Sequence, residues 1–374
     1  MNLTQDIIDN ARALKDDLHR HPEASFKENY ATALITKKMR ELGLEIIDIG
    51  MPTGCAALLR GKNAHGRTAA LRADIDAINS PDGNGYFHGC GHDFHTACLY
   101  GAAVVLTAMK NQLDGNVVFI FQPAEEVTQG AKAMLEHGLL EKLPCKPDII
   151  FGLHNRPQIP SGKIILHRGP LMAGKTNFKI TINGKTGHGG SPELCIDPIV
   201  ASASLVTACQ TIVSRNTCPL DACVCSICSI HSGTEENFAP ETAVLTGSIR
   251  ALKNEVRENA EKRLAGITKN ICQAYNCSVK LELFPQMPSV INEKYFAIAQ
   301  NAAQKALGKE NVVDSDPCLG SEDFAVFTEK IPGIFYWLGS GFENEPCTPW
   351  HSKNFHTNDD AIQYGIRLHV ESAL

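Results

Sequence analysis

Gly115-Asn116-Val117-Val118-Phe119-Ile120-Phe121 runs straight into Gln122-Pro123-Ala124-Glu125-Glu126. The apolar residues from Val117 to Phe121 are consecutive rather than alternating. Such a run reads as a strand covered on both faces, as strands are inside a parallel sheet. Its end is equally informative. Neighbours on a regular strand face opposite sides, but Pro123 stops the strand, so Glu125 and Glu126 can both turn toward one place. Two more runs behave alike. Residues 68–76 (Thr-Ala-Ala-Leu-Arg-Ala-Asp-Ile-Asp) end in Asp74 and Asp76, and residues 148–153 end at His154. Helical patterns over 96–110 and 129–140 lie between them. Strands alternating with helices predict an α/β fold on a parallel sheet. In open sheets of this kind, sites form at the carboxyl ends of the strands, where all these polar groups sit.

Between the first two strands lies Gly85-Tyr86-Phe87-His88-Gly89-Cys90-Gly91-His92-Asp93-Phe94-His95. Glycines permit positive φ and close packing, so these side chains can converge. Thiolate and imidazole beside carboxylate suit zinc or another late first-row metal. One glutamate of the Glu125-Glu126 pair could hold metal while the other takes a proton from attacking water.

Further out, helices are expected over 4–19, stopped by His21-Pro22, and over 29–42, stopped by Gly43. From 177 to 284 the order strand, helix, strand, strand, helix, strand is a ferredoxin-like split motif. Residues 175–286 are therefore expected to form an inserted domain, with 1–174 and 287–374 forming the first. Residues 148–153, 333–338 and a last helix from Asp359 complete that first domain.

The net charge of −6 with no basic run argues against a nucleic-acid partner. A hydrophobic share of 43% with 20% charged residues suits a globular chain. No apolar run approaches a membrane span. Residues 1–20 have helical polarity rather than the apolar core of a leader. Fourteen cysteines in such a chain read as reduced thiols. The expectation is a cytoplasmic protein.

These stretches, with Leu18-His-Arg-His-Pro-Glu23, Gly152-Leu-His154, Gly184-Lys-Thr-Gly-His188, Asn237 to Pro240, Gly320-Ser-Glu-Asp-Phe324 and His351-Ser-Lys-Asn-Phe355, occur in order along the chain. Together they resemble the dimetal amidohydrolase and peptidase family of hippurate hydrolase, N-acyl-amino-acid amidohydrolase and the auxin-conjugate hydrolases. The resemblance implies a zinc-exopeptidase-like catalytic domain with an inserted dimerisation or lid domain. It implies two divalent ions, Zn2+ or Mn2+ with Ni2+ and Co2+ as further candidates, held by Cys90, His92, Glu126, His154 and His351. It makes Glu125 the general base. It assigns His188 to the oxyanion of a partner subunit's site, Asn237 to the substrate and Arg250 to a substrate carboxylate. The implied activity is hydrolysis of N-acyl amino acids by a homodimer. Alternatives are a carboxypeptidase or dipeptidase of the same fold and a non-catalytic metal- or ligand-binding relative; an intact Glu125 speaks against the latter. Two stretches depart from the family pattern: Asp76-Ala-Ile-Asn-Ser80 and Gly189-Gly-Ser191. Asp76 and His95 are read as orienting carboxylate and supporting imidazole, His19 and His21 as helix-end structure, and His356 as surface. Cys223, Cys225 and Cys228 are not expected to bind zinc, because no second ligand pair accompanies them.

Overall fold

A computed structural model describes residues 3–374; Met1 and Asn2, where the leader-free reading begins, lie outside the described residues. The chain divides into two compact units. One comprises Met1–Gly169, Ile291–Asp316 and Glu322–Leu374, the other Pro170–Val290 and Pro317–Ser321. Nothing in the sequence reading anticipated that Pro317–Ser321 packs with the second unit.

The first unit is built on an eight-stranded sheet. Its strands are β1 (Glu45–Ile47), β2 (Cys55–Arg60), β3 (Arg67–Asp74), β4 (Gly115–Gln122), β5 (Ile149–Pro160), β6 (Ile164–Ile165), β7 (Val312–Val313) and β8 (Gly333–Gly341), in the order β1-β2-β4-β3-β5-β8-β6-β7. The middle four, β4-β3-β5-β8, are parallel. β2 runs antiparallel on β4. The α/β reading therefore holds, with antiparallel strands added at the margin. Register places Asp74 beside Gln122 and Arg72 beside Gly152. The ends of β3 and β4 and the His154 stretch of β5 thus share one edge of the sheet.

β4 is buried at every residue, as its unbroken apolar run requires. Helices α1 (Gln5–Arg20), α2 (Asn29–Glu41) and α3 (His92–Ala108) follow the expected boundaries closely. Gly43, at φ 74°, ends α2. Gly91, at φ 90°, starts α3, and Asp93 sits in its first turn. α3 packs so closely that a Cβ on Gly101 would meet Ile366 Cδ1 at 2.4 Å. Phe119, Phe121 and Phe151 are fully buried in this core. Truncating such an aromatic costs ~3–5 kcal/mol, so the sheet edge that carries the site is held rigidly.

Two expectations need correction. The helix read over 129–140 is two helices, Gly130–Glu136 and Leu139–Lys142, because Gly138 takes φ 82° between them. The strand read as ending at Leu153 continues to Pro160, because β8 pairs alongside it as far as Gly341.

The second unit pairs Cys223–Ser232, Thr242–Ala251, Gly174–Asn183 and Ser278–Met287 in that spatial order, all antiparallel. This is the ferredoxin-like order. Gly174–Asn183 alternates buried and open residues, as a strand with one covered face should. The helices Pro198–Asn216 and Asn254–Ala274 supply Leu205 and Leu264 to the core around Ile180. Asp197 caps the first of these helices by accepting from the Ile199 N–H at 2.8 Å. Cys223 and Cys225 are buried, Cys228 is exposed, and none of the three joins a metal-holding group among the described residues. No helix among the described residues is long and apolar enough to cross a membrane.

Candidate active site

The β4 end determines where two glutamates go. Ala124 sits at φ 57°, a left-handed conformation unusual for alanine. Its N–H is accepted by Glu28 Oε1 at 2.9 Å, and its carbonyl accepts from Gly130 N at 3.1 Å. A Cβ on Gly130 would lie 1.6 Å from the Pro123 carbonyl, so the loop closes only with glycine there. The kink brings Glu125 and Glu126 to the same place, with His92.

Glu28 is fully buried, and its Oε2 has no hydrogen-bond partner. Burial pushes its pKa up to about 7, with the neighbouring Asp76 charge acting the same way. An acid that holds its proton more tightly when folded loses stability as pH rises from its ordinary value, 4.5, through about 7. Glu28→Gln keeps the accepting oxygen and removes the titration. Relative to this variant, the metal-free native protein is expected to lose up to ~3 kcal/mol between pH 5 and pH 8. Chemical denaturation at the two pH values checks it, and an unchanged difference contradicts it.

The histidines are oriented by what they donate to. His92 gives its Nδ1–H to Asp76 Oδ1 at 3.1 Å, which leaves Nε2 as the free lone pair. That Nε2 is buried with no hydrogen-bond partner, 3.7 Å from Glu126 Oε1, which is equally unpartnered. His154 gives Nδ1–H to the Asn155 carbonyl at 2.8 Å, so its Nε2 faces Cys90 Sγ at 3.4 Å. His351 Nε2 approaches Glu126 Oε1 at 3.6 Å. The result is a set of overlapping groups: Cys90, His92 and His154; Cys90, Glu126 and His351; and His92 with both glutamates. In each the potential ligand atoms lie within 4.8 Å of one another.

Charge makes the same point. Burial, then the Glu126 charge, holds the Cys90 thiol well above its ordinary value. Burial, then Glu322 and Glu126, does so for Glu125. At His92 burial opposes the imidazolium, but Asp74 and Asp76 outweigh it and drive its pKa up. The cluster is rich in acidic groups and short of positive charge. Divalent cations fit these residues, since soft thiolate, two imidazole lone pairs and orphaned carboxylate oxygen converge without other partners. A thiolate shared by two groups suits a dinuclear centre.

The supporting residues are as specific. His95 donates Nδ1–H to Asp74 Oδ1 at 2.6 Å and accepts from the Asn155 N–H at Nε2. Asp76 also accepts from Ser25 Oγ and Glu126 N. Sequence reasoning gave no role to Arg72. It is fully buried and donates to Gln122, Asp74, Glu322 and Asp323 at 2.8–3.1 Å. A lone arginine inside an apolar strand was the available signal, because a buried cation needs buried anions. His21 donates to the Asp17 carbonyl in the way a helix end expects. His19, by contrast, pairs with buried Asp93 at 2.7 Å, so it is more than helix-end structure. His356 is exposed and donates to the Asn354 carbonyl.

In the second unit, His188 is exposed in the two-residue strand Gly187–His188, which pairs with Phe238–Ala239. Its Nδ1 accepts from Gly190 N–H at 3.0 Å, so the proton of the neutral ring resides on Nε2. Asn237 adjoins it, its carbonyl accepting from Gly189 N–H. Arg250 is half-buried and donates Nη1 to the Leu319 carbonyl at 3.0 Å.

A profile for peptidase family M20/M25/M40 matches residues 70–374. The chain belongs to this family. It is 38% identical to N-acetylcysteine deacetylase of Bacillus subtilis, over 96% of this chain and 95% of that one. It is 34% identical to thermostable carboxypeptidase 2 of Saccharolobus solfataricus, over 100% and 97%. A solved Bacillus subtilis structure, described as a dinuclear metal binding peptidase from the M20 family, superposes with a TM-score of 0.84 at 33% identity, covering 99% of this chain and 98% of that one. With this family, this fold and these ligand clusters, the protein is a metal-dependent amidohydrolase.

Proposed function

We propose that the protein hydrolyses the amide bond of N-acyl amino acids, with Cys90, His92, Glu126, His154 and His351 holding two divalent ions, Zn2+ or Mn2+ before Ni2+ or Co2+. The carrying observation is that Cys90 belongs to two ligand groups at once, with the buried Glu125 carboxyl beside them. When bound, the ions supply Lewis acidity, acidifying water and polarising the acyl carbonyl. Glu125 takes the proton from the attacking water. It then delivers that proton to the leaving amine. His188 donates Nε2–H to the oxyanion of a partner subunit's site. Asn237 and the remaining arm of Arg250 contact the substrate, the latter through its carboxylate. The second unit is the dimer interface, a reading supported by its open edge strand Cys223–Ser232 and by exposed Ile199, Val200 and Ile230. Its compact unit comprises Pro170–Val290 and Pro317–Ser321, wider than the inserted domain read at 175–286.

Exhaustive chelation is expected to abolish activity and Zn2+ or Mn2+ to restore it. Activity that persists in protein shown to be metal-free sinks the assignment. A panel for the reconstituted enzyme separates substrates: N-acetyl, benzoyl, indoleacetyl and p-aminobenzoyl amino acids against dipeptides and C-terminally free peptides. The similarity to a carboxypeptidase favours the peptides as a second reading, and higher kcat/KM on them would replace the first.

A further inference from the structure

Asn155 follows His154 in β5 and is fully buried. Its side chain spends every donor and acceptor on the walls of the site. Nδ2 donates to the Cys90 carbonyl and to His95 Nε2, the latter at 3.0 Å. Oδ1 accepts from Trp350 Nε1–H at 3.1 Å and from Ser340 Oγ at 3.3 Å. Turning the amide over would set its NH2 against the Trp350 N–H and its oxygen against a carbonyl, so the orientation is fixed by its partners. Its backbone N–H meanwhile donates to His95 Nε2 at 2.9 Å. Space is reserved for it: a Cβ on Gly91 would come within 2.4 Å of Asn155 Nδ2. Gly91 therefore permits both the start of α3 and the approach of this amide. On the far side, Trp350 immediately precedes His351, whose backbone is left-handed at φ 62° and whose N–H donates to the Gly89 carbonyl at 2.8 Å.

We infer that Asn155 is a positioning residue that fixes the distance between Cys90 and His351, and so the affinity of the site for the ion those two residues share. The inference rests on the metal-site reading above. One amide grips the backbone of the first residue and the indole that precedes the second. The two segments are otherwise joined, in this neighbourhood, by the His351–Gly89 backbone bond. Outer contacts that orient ligands typically change metal affinity by ~10–100-fold when lost.

The test measures ion stoichiometry and dissociation constants by competition with a chromophoric chelator, using Zn2+, on the full-length protein. Asn155→Asp is isosteric and removes the donors to Cys90 and His95 while leaving an acceptor for Trp350. Trp350→Phe removes the opposite bond and changes no buried charge. Each is expected to weaken one of the two ions ~10–100-fold and the other less. The double variant is expected to be no weaker than the worse single, because both changes cut one link. In a His351→Ala background, Trp350→Phe is expected to change nothing further. Trp350→Phe with native affinity for both ions overturns the inference even if Asn155→Asp fails to fold. Additive losses in the double variant overturn it too, since they indicate two independent packing effects. If the native protein binds fewer than two ions, it is the dimetal reading that fails.

Discussion

Glu125→Gln is expected to leave both ions bound and to lower kcat by ~10²–10⁴-fold, the range for loss of a general base. Glutamine keeps the size and hydrogen-bonding reach of the side chain but cannot take a proton from water. Burial, then the charges of Glu322 and Glu126, holds the carboxyl it replaces well above its ordinary pKa. Glu126→Gln is expected to behave differently. Its oxygen is within reach of both His92 and His351, so losing its charge removes a ligand from two of the overlapping groups. Metal analysis separates the two. Glu125→Gln keeps the native ion count, and Glu126→Gln loses at least one ion. Equal metal content in the two variants, or near-native turnover in the first, would break the division of roles.

His188→Ala is expected to keep the ions and the dimer and to lose ~10²–10³-fold in kcat, the ~3–4 kcal/mol that one oxyanion donor supplies in a site with little water. Every proposed metal ligand lies in the first unit and His188 lies in the second, so ion binding has no direct need of it. Its ring is prepared for donation, since the Gly190 N–H occupies Nδ1 and leaves Nε2–H outward. Mixing supplies the sharper measurement. A heterodimer of His188→Ala and Glu125→Gln subunits contains one site with an intact base from one chain and an intact imidazole from the other. It is expected to regain about half the native activity if the histidine works across the interface. Verified heterodimers as inactive as their parents would place the histidine's action within its own chain, or nowhere.

What the sequence revealed was what repeats locally. β4 is legible because five apolar residues in a row have few other uses, and the Gly174–Asn183 strand because its burial alternates. The cluster around Cys90 is legible because its glycines and ligand types are adjacent. Features set by distant partners were not. The length of β5 beyond His154 depends on β8, more than half the remaining chain away. Two of the four partners of Arg72, Glu322 and Asp323, are brought to it by the fold from far along the chain. Asn155 looked like any polar residue after a strand, and its importance lies in Cys90 and Trp350, neither of which is near it in sequence. The break at Gly138 was visible as a glycine, but a glycine inside a helical pattern is often tolerated.

β8 lies between β5 and β6 in the sheet, yet it is the last strand along the described residues. On a ribosome adding ~5–20 residues per second, β5 waits roughly 10–35 s for its neighbour. Until then its long apolar edge is open to other chains. Cys90, His92, Glu126 and His154 precede Gly333, so four of the five proposed ligands accompany the open edge. A chain cut short before Gly333 therefore carries two liabilities together, an unpaired strand and thiolate-bearing half-sites that can capture ions without the geometry to use them. The segment from Gly333 onward both closes the sheet beside β5 and carries His351, the proposed ligand farthest along the chain.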